Sequence, residues 1–226
     1  MLLSKSVIVA GGGSGSRMGT QIPKQFLLLN NKPVLMHTIR QFLVYDNDIE
    51  VVLVLPQFQI ENWQNLCQKY GFELPHKIVA GGTTRFHSVK NGLFSIKTEG
   101  LTAVHDGVRP FVSMATIRNC FETALERGNA VPVVELTESL RVISDNDNSA
   151  CDRKLYRLVQ TPQVFRTSLL KKGYEQEYSE HFTDDASVVE ALGVKINMVG
   201  GNEDNIKITS PFDLVIGEAI CKYKKS

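Results

Sequence analysis

The sequence predicts an α/β protein built on a mainly parallel sheet with helices on both faces. Two observations predict it. Short β-branched apolar runs alternate with segments of helical periodicity, which implies strands joined by helical crossovers. The first apolar run, Val7-Ile8-Val9-Ala10, passes directly into a loop of glycine and serine, Gly11 to Gly19. A third observation adds a departure. Between Glu135 and Gln160 the alternation stops, and two apolar stretches flank a polar one.

Val7–Ala10 reads as a buried strand. Pro33 suits the first turn of a helix running to Tyr45, with Val34, Leu35, Thr38, Ile39 and Phe42 on one face. Val51–Leu55 is a buried strand stopped by Pro56, and a helix over Gln59–Tyr70 ends near Gly71. Lys77–Ala80 is a short strand entering Gly81-Gly82, after which Thr83 or Thr84 caps a helix containing Arg85, Ser88, Val89 and Leu93. Leu101–His105 is a strand that runs into Asp106. A helix over Ala115–Arg127 closes at Gly128, and Ala130–Val134 is the next strand.

Leu140–Ile143 and Lys154–Val159 read as two strands of a long hairpin around the polar loop Ser144–Ser149. This arm, at about residues 135–160, is too poor in apolar residues to bury itself. It is either a mobile flap or a surface that lies on another subunit. Helices are expected over Thr167–Tyr178 and Asp184–Leu192, and strands over Val194–Val199 and Ile206–Thr209. Ser210-Pro211 opens the last helix. No repeat or linker divides the 226 residues, so one domain is expected.

A formal net charge of +1 gives no basic field for nucleic acid. The four cysteines, Cys67, Cys120, Cys151 and Cys221, never stand in Cys-x-x-Cys spacing and read as reduced thiols. No signal-peptide pattern and no apolar run of membrane length is present, so a cytoplasmic protein away from the membrane is expected.

Ligands of such folds bind at the carboxyl ends of the strands. The loops after Ala10, Ala80 and His105 should therefore converge. The first is Gly11-Gly12-Gly13-Ser14-Gly15-Ser16-Arg17-Met18-Gly19, followed by Pro23-Lys24-Gln25. Its glycines let backbone N–H groups approach phosphate oxygens, and Arg17 and Lys24 add cations. It is not a Walker A loop, since no Lys-Ser or Lys-Thr follows. Nor is it a dinucleotide fingerprint: Met18 stands where the third glycine belongs, and the first acidic residue of the chain is Asp46. That argues against an NAD-dependent oxidoreductase.

In His105-Asp106-Gly107-Val108-Arg109-Pro110 the carboxylate at a strand end is a candidate Mg²⁺ ligand, since magnesium takes few protein carboxylates and fills its sphere with phosphate and water. Arg109 could clamp Asp106 or a phosphate. In Gly81-Gly82-Thr83-Thr84-Arg85-Phe86-His87-Ser88 the diglycine admits a flat base, and Ser88 could bond its edge; a capped helix explains the segment equally well. Asp204-Asn205-Ile206-Lys207 mixes possible metal ligands with a cation for a second anion. Thr183-Asp184-Asp185-Ala186-Ser187 reads as a helix N-terminus with favourable dipole charges. Asp145-Asn146-Asp147 matches the Asp-x-Asp motif of glycosyltransferases but falls at the hairpin tip, which discounts it.

Taken together and in order, the glycine loop, Pro23-Lys24-Gln25-Phe26, Gly81–Val89, His105–Pro110, Gln160-Thr161-Pro162-Gln163, Thr183–Ser187 and Asn205-Ile206-Lys207-Ile208-Thr209 resemble the 2-C-methyl-D-erythritol 4-phosphate cytidylyltransferases of the non-mevalonate isoprenoid pathway. Ribitol-5-phosphate cytidylyltransferase shares several of these motifs and is the alternative. A nucleotide-binding protein without turnover is the more distant one, expected to lack Arg17, Lys24 or Asp106. One departure is Gly107, where the family usually has alanine. The resemblance implies a Rossmann-like nucleotidyltransferase fold with a hairpin arm crossing a two-fold dimer. It implies CTP along Gly11, Gly12, Gly13, Ser14, Gly15, Gly82, Thr83, Arg85 and Ser88, and transition-state stabilisation by Arg17 and Lys24. Asp106 falls on the metal ligand, with Asp204 or Asn205 as the candidate for a second. The sugar phosphate is expected at Arg109, Ser139, Arg153, Thr161 and Lys207, with Arg153 acting in the neighbouring subunit's site.

Overall fold

The computed structural model describes residues 3–12, 22–145 and 147–224. The first strand, β1 (Ser4–Ala10), buries Val7, Ile8 and Val9 completely. A single 3-10 turn at Lys24–Phe26 leads to a small hairpin, β2 (Leu28–Leu29) and β3 (Lys32–Pro33). Its tip residues Asn30 and Asn31 both take positive φ, as a tight hairpin requires. Pro33 lies just before α1 (Val34–Tyr45) rather than inside it, with extended backbone angles. The five residues expected on the buried face of α1 are all buried.

The alternation then follows the expected order: β4 (Glu50–Leu55), α2 (Ile60–Tyr70), β5 (Lys77–Ala80), α3 (Arg85–Ser95), β6 (Gly100–Asp106), α4 (Met114–Arg127) and β7 (Asn129–Val134). Gly71 and Gly128 close α2 and α4 in the left-handed region. Thr84, not Thr83, caps α3 by accepting from the His87 amide.

The second half departs further. The arm is a tighter hairpin than expected: β8 (Leu140–Ser144) pairs with β9 (Asp147–Cys151), so the polar stretch is itself a strand. On a hairpin exposed on both faces, ladder hydrogen bonds decide the strand and apolar pattern carries little signal. Lys154–Val159 is not one strand. Arg153–Leu155 forms a 3-10 turn, and only β10 (Leu158–Val159) pairs, with β7. β11 (Gln163–Arg166) falls where no strand was expected. It runs antiparallel between β6 and β7, held by tertiary pairing on both sides. Then come α5 (Thr167–Glu175) and α6 (Asp185–Glu190), shorter than expected, and β12 (Met198–Gly200), which pairs with β7. Ile206–Thr209 is not a ladder strand; the Ile208 amide makes one bond, to Val108 O at 2.9 Å. Finally, α7 (Pro211–Tyr223) starts at a capping box of Ser210 and Asp213.

The sheet order is β10-β7-β11-β6-β1-β4-β5, with β12 also on β7. β6, β1, β4 and β5 are mutually parallel, so their carboxyl ends share one edge. Alternation in the strands splits the core. Val7, Val9, Leu53 and Leu55 pack with α1, α2 and α4, and Ile8, Val52 and Val54 pack with α3, α5 and α6. Both faces of the parallel strands are thereby covered.

Candidate active site

Backbone hydrogen bonds stitch the strand ends together. Gly11 N donates to Val54 O (2.9 Å), Gly81 N to Leu55 O (2.8 Å) and Gly107 N to Ala10 O (2.9 Å). The three loops thus converge as expected. They enclose a cavity of about 300 Å³ whose wall includes Gly11, Gly12, Gly82, Thr83, Arg85, Ser88, Lys24, Asp106 and Lys207. Gly13, Ser14, Gly15 and Arg17 lie outside the described residues.

Two glycines here answer to packing. A Cβ on Gly11 would stand 2.7 Å from Leu55 Cδ2, and one on Gly82 would stand 2.4 Å from His87 Cβ. The diglycine therefore seats the first turn of α3 against the β5 end. Ser88 belongs to the same joint: its hydroxyl donates to Thr84 O (2.8 Å) and accepts from Gly82 N (3.1 Å).

Asp106 is the electrostatic centre. Its Oδ2 accepts from Lys207 Nζ at 3.0 Å and from Arg109 Nε at 3.2 Å. Burial alone would raise the carboxyl pKa. Lys207, Arg85 and Arg109 outweigh it and hold the group well below the usual carboxylate range. The backbone of Asp106 is fixed from beneath. Its N–H donates to Thr161 Oγ1 (3.1 Å), Thr161 Oγ1 lies 3.0 Å from His105 Nδ1, and His105 Nε2 lies 3.0 Å from Arg109 O. Only one neutral tautomer satisfies this chain: Nε2 carries the proton and donates to Arg109 O, while Nδ1 accepts from Thr161. Complete burial pushes the His105 pKa down to about 4, which keeps the ring neutral.

Arg85 reaches the wall as half of a bidentate pair. Its NH1 and NH2 donate to Asp185 Oδ1 (3.0 Å) and Oδ2 (2.6 Å), and Tyr174 OH adds a 2.5 Å bond to Oδ1. Asp185 is fully buried in the first turn of α6. Beside Lys24, the buried Gln25 donates through Nε2 to Gly11 O and to Gln59 Oε1, both at 2.7 Å, and so ties the glycine loop to the segment before α2.

Other expected residues lie elsewhere. Arg109 is turned inward onto Asp106 and onto Asn205 O (2.7 Å), so of its two readings the structure forms the carboxylate clamp. Thr161 is buried beneath Asp106 rather than on the cavity wall. Neither candidate for a second metal ligand reaches the cavity. Asp204 pairs with Lys224 at 2.6 Å, and Asn205 is fully buried, donating to Thr161 O at 2.9 Å. Ser139 and Arg153 are exposed on the arm, where Arg153 bonds Thr137 O; neither lines the cavity of its own chain. Three residues were not singled out from the sequence for the roles they take. Gln25 stood only as part of a motif, His105 only as a neighbour of Asp106, and Asp185 only as a helix-terminus charge.

A narrow recess with glycine on one side and three cations near one carboxylate is suited to a polyphosphate and a divalent metal. The family model described as 2-C-methyl-D-erythritol 4-phosphate cytidylyltransferase matches residues 5–223. The chain belongs to this family. The cytidylyltransferase of that name from Bacteroides thetaiotaomicron is 51% identical over 218 residues, covering 96% of this chain and 100% of the relative. The crystal structure of the enzyme from Thermus thermophilus aligns with a TM-score of 0.72 at 31% identity, covering 98% of this chain and 100% of that one. The 4-diphosphocytidyl-2C-methyl-D-erythritol synthase of Anaerococcus prevotii aligns with a TM-score of 0.82 at 25% identity, covering 97% and 96%. The nucleotidyltransferase sheet expected from the motifs is thus the fold of this cytidylyltransferase family.

Proposed function

We propose that the protein transfers CMP from CTP to 2-C-methyl-D-erythritol 4-phosphate, releasing pyrophosphate, in the cytoplasm. The observation that carries this reading is that residues of five of the family's ordered motifs, among them Gly12, Lys24, Ser88, Asp106 and Lys207, line one cavity. The nucleophile is a phosphate whose second pKa is about 6, so it arrives ionised and needs no general base. It attacks the α-phosphorus in line, a P–O bond to the acceptor forms, and the bond to pyrophosphate breaks. Two anions must meet, and charge grows on the leaving group. Catalysis is therefore positioning and cationic stabilisation. Arg17 and Lys24 act on the reacting phosphates. Lys207 receives the acceptor phosphate beside Asp106. The glycine loop that opens at Gly11 and Gly12 borders the triphosphate, and the Gly82–Ser88 segment holds the base and ribose.

The residues fit a magnesium ion. Both cationic contacts of Asp106 fall on Oδ2, and magnesium needs only one or two protein carboxylates when phosphates complete its sphere. Among the described residues no group of three His, Cys, Asp or Glu side chains stands ready as a self-sufficient cage. Bound with CTP, the ion would neutralise the leaving pyrophosphate.

The arm supports a homodimer. Val142, Ile143, Leu155, Tyr156, Leu158 and Val159 are all exposed on one chain, and an isolated two-stranded hairpin is at best marginally stable. A two-fold pair lets one self-complementary surface cover both arms. Ser139 and Arg153, absent from their own cavity wall, then serve the partner's acceptor phosphate. The test is pyrophosphate release with CTP and each candidate acceptor. Turnover of 2-C-methyl-D-erythritol 4-phosphate is expected. Turnover of ribitol 5-phosphate alone would transfer the assignment to the alternative family.

A further inference from the structure

A second cavity, of about 310 Å³, lies between α1 and the segment that leaves α2. Lys32 stands at its rim on β3, and Arg40 and His37 reach it from α1. Neither Lys32 nor Arg40 is paired with a carboxylate among the described residues, although both are exposed and free to seek one. The opposite wall carries Phe72 and Leu74, the buried Met36 forms part of the lining, and Glu73 is the one acidic group. Two cationic side chains and a histidine thus line a concave surface that carries a single carboxylate. Like charges brought together in a recess repel, and a bound anion relieves that repulsion. The apolar wall gives a place for an organic body, and the pair of cations suits a doubly charged head better than a single charge.

We propose that this cavity binds a small organic phosphate, its phosphoryl group between Lys32 and Arg40 and its apolar body against Met36, Phe72 and Leu74. His37 is the built-in reporter. Its Nε2 bonds Leu29 O at 2.7 Å, which holds the ring beside the cavity. Burial first, and then the fields of Lys32 and Arg40, push its pKa below the ordinary histidine value. Glu73 is the remaining charged group on the facing segment and is present in both free and bound states, so a change on ligand addition reports the ligand. A phosphate between the two cations reverses their effect on the ring, so its binding is coupled to proton uptake by His37. The site is separate from the catalytic cavity, whose wall it does not share.

The experiment is NMR titration of the His37 ring in the full-length protein, with phenyl phosphate, benzoate and phenol as probes. Phenyl phosphate at about 10 mM, ample for a millimolar site, should raise the His37 midpoint by about one pH unit. Benzoate should move it less and phenol not at all. In the Lys32→Gln/Arg40→Gln protein the midpoint should start higher and ignore phenyl phosphate, while CTP turnover is unchanged. Arg40→Gln alone, on an exposed helix face, gives the intermediate response if the double variant does not fold. A Lys24→Gln protein should respond as wild type does, which separates this cavity from the catalytic one. The proposal is overturned if phenyl phosphate leaves the midpoint unmoved, if the Arg40→Gln and wild-type responses are equal, if benzoate acts as strongly, or if Lys24→Gln abolishes the effect.

Discussion

Lys207 and Arg109 share one oxygen of Asp106, at 3.0 and 3.2 Å, although they approach from segments almost a hundred residues apart in the chain. The two cations do different work. Arg109 is mostly buried and also holds Asn205 O, so it is a fixed part of the frame. The Lys207 side chain is 42% exposed and lines the cavity, so it can exchange Asp106 for an incoming phosphate.

Asp106→Asn keeps the shape and removes the charge. It should weaken metal-dependent turnover far more than metal-free nucleotide binding, because phosphates alone hold magnesium loosely here. The check is a Mg²⁺ activation curve. A curve superposable on wild type would remove Asp106 from the metal site.

Lys24→Ala and Arg17→Ala should each lower kcat by on the order of a hundredfold, the usual cost of losing one preorganised electrostatic contact to a transition state. Single-turnover kinetics and a thermal melt check this together. For Lys24→Ala, Tm should barely move, because Lys24 is only half-buried on the cavity wall. A large fall in Tm would make the residue structural.

Arg85→Met should cost stability, by about 3–5 kcal/mol, because it leaves Asp185 charged and fully buried without its bidentate partner. Arg85→Met combined with Asp185→Leu should recover part of that loss. Urea unfolding measures both. Equal destabilisation in the single and double proteins would show that the pair is not the source.

The pH dependence of stability follows from His105. Its folded pKa, about 4, lies below the unfolded value of about 6.5, so between those limits the unfolded chain binds the extra proton. Stability should therefore fall as pH drops from about 6.5 to about 4, by about 3 kcal/mol from this residue. His37, also shifted down, acts in the same direction. Asp106, also shifted down, acts in the same direction but in a lower window: its contribution is complete above the ordinary carboxylate value and is lost only as pH falls below it. In His105→Asn the slope of unfolding free energy against pH should lose one proton. An unchanged slope would place the uptake elsewhere.

A mixture of Arg153→Ala and Asp106→Ala chains, each nearly inactive alone, should regain partial activity once subunits exchange. A shared site gives one intact cavity per heterodimer. No recovery despite demonstrated exchange would mean that each chain relies on its own arginine or on none.

The parallel half of the fold is legible because its strands are apolar runs punctuated by glycine, proline and caps. Val51–Leu55 and Lys77–Ala80 are recognisable for local reasons. Gln163–Arg166 is not: four residues after a proline, they become a strand only because β6 and β7 offer them ladders on both sides. The same contrast runs through the site. Asp106 and Lys24 show themselves by type and place next to glycine-rich loops. The support for Asp106 comes from Thr161, which is 55 residues from Asp106 and 56 from His105 in sequence, and no periodicity marks such a contact. Asp204 misled for the converse reason. A carboxylate in a polar motif looks available until α7 brings Lys224 to it.

Because β7 and β11 are antiparallel neighbours, the segment from Glu135 to Arg157 is an excursion out of what is otherwise a short connection between two strands. Shortening that excursion alters no strand order among β11, β6, β1, β4 and β5. In the proposed homodimer, assembly would be carried by a detachable module. An enzyme of this architecture can lengthen, shorten or redesign the arm while the carboxyl edge of the parallel strands stays as it is.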